Sequence, residues 1–287
     1  MRIAFITDNG AGFSEEEVKN LGIQVLPLRY MIDDEEFADE LSDDMFFEKI
    51  AKAKNIHTSQ PSLEDIQNIF DGLLKYHDML VYFAMTSGLS GTYNSALMLS
   101  EEEKYKDRVH VIDGRTISVL QKFEVLDGIK MITNGKSIAE VKDIIEKHRD
   151  QTSIYIVCDT LDYLKKGGRV SPMVAKLGGL LNVKPILYSS GGNFDMVKKV
   201  RSMQQAKEML ISLAKHDVEQ KFGGDNVSIG VAYTKCRDDA LLFKNKVQEV
   251  FPHLSREIPV DPLSKFIACH IGPNAIGVAI YKNINEH

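Results

Sequence analysis

The sequence predicts an α/β protein of two α/β domains, the first with a mainly parallel sheet and the second with a mixed one. Three observations carry this. Short apolar runs alternate with helical patterns through the first half, the arrangement of parallel strands joined by helical crossovers. A Gly-rich polar turn, Ser189 to Asn193, separates two strand-like runs in the second half and reads as a hairpin. The length, 287 residues, suits two domains at roughly 100 to 200 residues each.

The first strand is the run Ile3 to Thr7, and Ser14 with Glu17 forms a capping box that opens a helix. A second apolar run extends from Ile23 to Met31. Ser42 opens the next helix and Ser62, behind Pro61, a third. The run Met79 to Met85 has no polar face, as expected of a strand buried on both sides. Val109 to Asp113 is another strand, followed by helices from about Thr116 to Thr133 and from Ser137 to His148. These helices close a first domain placed at 1–150. In the second, 151–287, strands are expected at Thr152 to Cys158, Lys184 to Tyr188, Phe194 to Val200, Ser228 to Thr234 and Ala275 to Tyr281. Helices are expected at Met203 to Glu219 and Cys236 to Val250.

Composition narrows the function classes. Hydrophobic residues make up 44% and charged residues 26%, which fits a folded globular chain. The net charge of −6 lacks the positive field of a nucleic-acid binder, so no nucleic-acid partner is expected. Cys158, Cys236 and Cys269 stand far apart and suggest neither disulfides nor a thiolate zinc site, and the histidines fall in no metal-ligand spacing. They read as buried thiols. With no apolar stretch of about 18 residues, neither a signal peptide nor a transmembrane segment is expected, and the expected location is cytoplasmic.

Gly135-Lys136-Ser137 lacks the first glycine of a P-loop and reads as helix capping. Gly88-Leu89-Ser90-Gly91 follows a buried strand and precedes a helical stretch, where parallel sheets carry functional loops. Thr92 breaks the G-x-S-x-G spacing of a hydrolase elbow, which leaves an anion site of backbone N–H groups and the Ser90 hydroxyl, or plain helix capping by Ser87, Ser90 and Thr92. Thr58 to Ser62 reads as a polar turn whose Thr58 and Ser59 could reach a ligand beside Ser90. Lys165-Lys166-Gly167-Gly168-Arg169 gathers cations suited to a carboxylate or phosphate, or forms a solvated loop. His270 lies before a strand, where an exposed turn could present its imidazole, or where it serves structure alone.

In combination these segments resemble the DegV family of bacterial fatty-acid-binding proteins. The resemblance is carried by Thr7-Asp8, Thr58-Ser59-Gln60-Pro61-Ser62, Ser87 to Tyr93, Asp159-Thr160-Leu161 through Arg169, Lys184-Pro185-Ile186-Leu187, and His270-Ile271-Gly272-Pro273. Asn9-Gly10 follows Asp8 where the family often has a hydroxyl residue. Asn274 replaces a common glycine, and asparagine tolerates the positive φ such a turn needs.

The resemblance implies a protein that holds one long-chain fatty acid between its two domains, without a cofactor or ATP site. It also implies that the carboxylate is presented to a separate fatty acid kinase that makes acyl phosphate. Thr58 and Ser90 correspond to the carboxylate-binding hydroxyls, and Arg169 and His270 to polar groups near the head. Neutral donors hold a buried carboxylate without a permanent ion pair. Burying about fifteen methylenes at about 0.8 kcal/mol each contributes on the order of 12 kcal/mol before ordering costs. Phe46, Phe47, Ile50, Met79, Met85, Leu97 and Met98 could line such a tunnel or fill an ordinary core. Two other readings stand beside this one: a small-molecule hydrolase or acyl/phosphoryl transferase with Ser90 as nucleophile and His270 as base, and a regulatory module whose ligand alters a protein partner.

Overall fold

The computed structural model describes residues 1–38, 40–176, 183–224 and 226–284. The chain begins with β1 (Ile3–Asp8), a 3-10 turn (Asn9–Ala11), α1 (Glu15–Leu21), β2 (Gln24–Leu26), β3 (Arg29–Ile32) and β4 (Glu35–Phe37). There follow α2 (Asp43–Lys52), β5 (Ile56–Ser59), α3 (Leu63–Leu74), β6 (Met79–Phe83), α4 (Thr92–Ser100), β7 (Val109–Ile112), α5 (Val119–Thr133) and α6 (Ile138–Lys147). The second half runs β8 (Thr152–Val157), α7 (Asp162–Gly167), α8 (Pro172–Ala175), β9 (Lys184–Ser189), β10 (Asp195–Val200) and α9 (Met203–His216). A π-helical turn (Asp217–Lys221) leads to β11 (Val227–Tyr233), α10 (Arg237–Val250), β12 (Val260–Pro262), α11 (Lys265–Ile271) and β13 (Ile276–Lys282).

A parallel sheet in the order β2-β1-β6-β7 forms the first layer, with β6 inside it. Leu80 to Phe83 are all buried, which explains the strand's lack of a polar face. The second sheet, β10-β9-β8-β13-β11-β12, is antiparallel except where β12 joins β11. Its β9–β10 hairpin sits at the expected turn. Capping boxes open α1 at Ser14 and α6 at Ser137, so Gly135-Lys136-Ser137 is a helix start.

The expected run Ile23 to Met31 is two strands. Pro27, which cannot donate to a ladder, separates β2 in the parallel sheet from β3 in a small antiparallel sheet ordered β4-β3-β5. Thr58 and Ser59, expected in a turn, instead lie on β5 opposite Tyr30 and Arg29 of β3.

Helices cross between the sheets. Val119, Leu120 and Phe123 of α5 pack with Ala279 and Tyr281 of β13. Ala268 and Cys269 of α11 pack among Tyr30, Ile32, Phe46, Phe47 and Ile50. Among the described residues no helix is long and apolar enough to cross a membrane. Cys158 and Cys269 are buried as expected, whereas Cys236 is half-buried. His287, one of the histidines outside any metal-ligand spacing, lies outside the described residues.

Candidate ligand-binding site

The site begins at the carboxyl ends of β1 and β6. Asp8 accepts from the Met85 backbone N–H at 2.8 Å, the Tyr82 hydroxyl at 3.0 Å, and Gln121 Nε2 and the Gly10 N–H at 3.1 Å. Burial raises its pKa while these donors hold the carboxylate, so it fixes two strand ends and the loop leaving β6. Asn9, the residue after it, is absorbed by structure: its side chain bonds both main-chain groups of Leu28.

The loop that follows turns tightly. The N–H groups of Leu89 and Ser90 both donate to the Thr86 carbonyl at 3.2 Å, and the Thr86 hydroxyl donates to the Gly191 carbonyl in the β9–β10 turn. Ser90 Oγ lies 2.9 Å from Thr92 Oγ1 and accepts from the Thr92 N–H at 3.3 Å. The N-cap of α4 is Gly91, with no side-chain cap. A Cβ there would run into the Gln60 amide, whose Nε2 donates to Ser95 at 2.9 Å, so the exit of β5 packs directly on α4.

Thr58 Oγ1 on β5 lies 2.8 Å from His270 Nε2. His270 is not in an exposed turn. It lies in the last turn of α11 and is only 8% exposed. Burial, with the Arg169 guanidinium nearby, pushes its pKa down to about 3, so the imidazole is neutral near pH 7. Gly167 makes room for the ring, because a Cβ there would overlap Nδ1.

The cationic segment is the end of α7 rather than a loose loop. Gly168, at φ +70°, ends the helix and turns the chain so that Arg169 points inward. Arg169 Nε donates to the Leu89 carbonyl at 3.3 Å and Nη1 to the Gly167 carbonyl at 2.5 Å. Thus Thr58, His270 and Arg169 form one cluster, and Arg169 reaches the residue before Ser90. The structure places Thr58, not Ser90, on the imidazole nitrogen that a nucleophile–base pair would require.

Two adjoining cavities lead away from this cluster. The first, of about 30 Å³, is walled by Met85, Leu89, Leu164 and Phe266 and reaches Arg169 and His270. The second, of about 50 Å³, lies against one face of the mixed sheet, among Ile154, Ile156, Ala232, Gly277 and Ala279. Ile117, Phe194, Ile267 and Ile271 line both, so the two adjoin along an apolar wall, with Arg169 and His270 at the end of the first.

Of the two readings left open for the seven apolar residues, core packing holds for three of them. Phe46, Phe47 and Ile50 belong to the core around Tyr30, Met98 is exposed, and of the seven residues named only Met85 lines either cavity. The mixed sheet leaves a hollow on one face. Ala232 on β11 and Gly277 with Ala279 on β13 supply it with small side chains.

The entry to α5 is strained. Ser118, 9% exposed, has φ 57° and ψ −137°, a region costly for any residue with a Cβ, by about 1–3 kcal/mol. Six residues further on, Glu124 is buried and accepts from the Thr116 hydroxyl at 2.7 Å. Burial, with a smaller contribution from Asp113, pushes its pKa up to about 8. Lys122 is also buried and pairs with Glu17 of α1 at 3.1 Å and Asp261 of β12 at 2.8 Å. Among the described residues no group of His, Cys, Asp and Glu side chains is poised to hold a metal ion.

A family model described as the DegV family, uncharacterised protein, matches residues 2–283. A DegV domain-containing protein of Clostridium perfringens is 30% identical, with 99% of both chains covered. A solved structure of a DegV family protein from Thermus thermophilus, described for its fatty acid binding, is 26% identical with a TM-score of 0.87, covering 99% of this chain and 100% of that one. DegV of Bacillus subtilis, described as a fatty acid binding protein, is 25% identical with a TM-score of 0.83 over the same shares.

Proposed function

The chain belongs to the DegV family, and from that premise we propose that it binds one long-chain fatty acid in a slot formed by the two cavities. It presents the carboxylate to a separate ATP-dependent fatty acid kinase, which forms acyl phosphate, and it does so in the cytoplasm. The observation that carries the reading is the row of two adjoining apolar cavities with Arg169 and His270 at one end. Fatty-acid binding described for the Thermus thermophilus and Bacillus subtilis relatives supports it.

In this reading the acyl chain lies along Ile117, Phe194, Ile267 and Ile271, and the carboxylate reaches Thr58 and Ser90. Ser90 exchanges its Thr92 partner for one carboxylate oxygen, while Thr58 accepts from His270 Nε2–H and donates its own proton to the other. Neutral His270 keeps Thr58 in place, and Arg169 supplies positive potential without a bond to the ligand. A hydroxyl-held carboxylate stays accessible to an incoming phosphoryl group, whereas a bidentate arginine would occupy both oxygens.

Native mass spectrometry of the purified protein tests the binding. A complex one fatty-acid mass above the chain, or uptake of added palmitate or oleate, is expected. Apoprotein alone, with no uptake, overturns the proposal. The kinase step is tested by adding loaded protein and ATP to an extract of the source cells and trapping acyl phosphate with hydroxylamine. A hydroxamate that depends on this protein is expected, and its absence removes the kinase part.

A further inference from the structure

Resting on the fatty-acid reading, we propose that Gly277 and Ala232 set the longest acyl chain the protein accepts: the last methylenes lie over this pair, and Leu263 closes the space beyond them. Strands β11 and β13 differ sharply between their two faces. One face carries Val227, Ile229 and Val231 with Ile276, Val278 and Ile280 in the core of the second half. On the other, Ala232 lies opposite Gly277 and Gly230 opposite Ala279, and Ala232, Gly277 and Ala279 floor the chamber against the mixed sheet. Strands ordinarily fill such positions with β-branched or aromatic side chains, so each small residue calls for a cause. At Gly230 the protein supplies it, because a Cβ there would come within 2.8 Å of Val119 on α5. At Gly277 it does not. A Cβ there would meet the Tyr155 carbonyl at 3.2 Å and Ile156, its neighbour on β8, at 3.5 Å, both within the sheet itself.

A glycine inside a strand with no protein side chain over it marks the close approach of another group, and here the chamber brings the acyl chain. The chamber lies beyond Ile117, Phe194, Ile267 and Ile271 from the end that holds Arg169 and His270, so the part of the chain over Gly277 and Ala232 is its tail. Leu263 stands past it. This side chain lines the chamber and also a separate cleft of about 210 Å³ among Glu17, Asp43, Asp261 and Ser264. The Glu17 and Asp43 side chains are 43% and 68% exposed, so that cleft is polar and open to water. An apolar tail gains nothing by crossing into it, which makes Leu263 the end wall.

The test is competitive loading read by native mass spectrometry. Delipidated protein is offered an equimolar mixture of the saturated acids from laurate to arachidate in two-carbon steps. The parent should favour each longer acid, by about fourfold per methylene buried, up to a cut-off. G277A and A232V fill the floor of the chamber, so the cut-off should fall by about two carbons, and the acid the parent favours should lose about tenfold against the next shorter one. L263A should move the cut-off the other way. T58V, at the far end, should weaken every acid alike, and circular dichroism reports whether each variant is folded. A cut-off unmoved in folded G277A and A232V overturns the inference, as does a loss in them that is uniform across lengths. So does a cut-off unmoved in folded L263A, which keeps the test decisive if neither enlarged variant folds. Loading of the parent without dependence on length sinks this inference and leaves the fatty-acid reading intact, whereas no loading of any acid sinks both.

Discussion

Thr58 Oγ1 and His270 Nε2 lie 2.8 Å apart although 212 positions separate them in the chain, one on a strand of the small antiparallel sheet and the other at the end of α11. This pairing brings the polar end of the slot together from both halves of the sequence. Removing either partner should therefore weaken ligand retention more than it weakens the fold.

For Thr58→Val the expected cost to stability is about 1 kcal/mol, the net worth of one neutral hydrogen bond. Retention of fatty acid should drop about tenfold, because a bond to an ionised carboxylate is worth more. Thermal melting and native mass spectrometry report the two effects. Equal retention by T58V and the parent would remove Thr58 from the site.

His270 is held neutral with a pKa of about 3, against about 6.5 when unfolded. Below about pH 6.5 the unfolded chain takes up a proton that the native imidazole refuses, so this group's contribution is complete above that pH and lost as pH falls towards 3. The slope reaches up to about 1.4 kcal/mol per pH unit. H270Q should flatten that part of the stability-against-pH curve measured by urea unfolding, and an unchanged acid limb would refute the assignment.

Glu124 has the opposite sign. Its pKa is raised to about 8, so between about pH 4.5 and 8 the unfolded carboxyl ionises while the native one keeps its proton, and stability falls as pH rises. E124Q should gain in melting temperature relative to the parent as pH goes from 5 to 8. A constant difference across that range would mean that Glu124 is already ionised in the folded protein.

Gly167 has no side chain because the imidazole of His270 fills the space. G167A should cost about 1–3 kcal/mol through overpacking and should also reduce fatty-acid retention, since the ring cannot keep its bond to Thr58. Loss of stability with full retention would show that the ring moves without consequence for the ligand.

Lys122, whose side chain is 5% exposed, joins Glu17 and Asp261 across three elements. K122M leaves a buried Asp261 carboxylate uncompensated and should cost about 3–5 kcal/mol. K122M combined with D261L should recover part of that loss in denaturant unfolding. No recovery would place the role of Lys122 in its packing over Phe13 instead.

The strands and helices with strong periodicity were legible in the sequence, as were the β9–β10 turn and the capping boxes of α1 and α6. The chemistry-bearing residues were legible by type and motif, but not always by their local structure. Thr58 reads as a turn because β5 is only four residues long and ends in polar side chains. His270 reads as a turn because α11 is buried from Phe266 to Ile271, which erases the amphipathic period that marks a helix. The slot's wall escaped for a related reason. Ile117, Phe194 and Ile267 are ordinary apolar residues singly, and only the pairing of β11 with β13 puts Ala232, Gly277 and Ala279 on one hollow face. That alternation of small residues along β13 was the available signal.

The exchange of helices between the sheets has a bearing on how a ligand enters. With α5 seated on β13 and α11 seated on the small sheet, swinging the halves apart like a clam would bare two hydrophobic cores at once. A greasy guest is better admitted by a small local gap, and the two halves should melt as one.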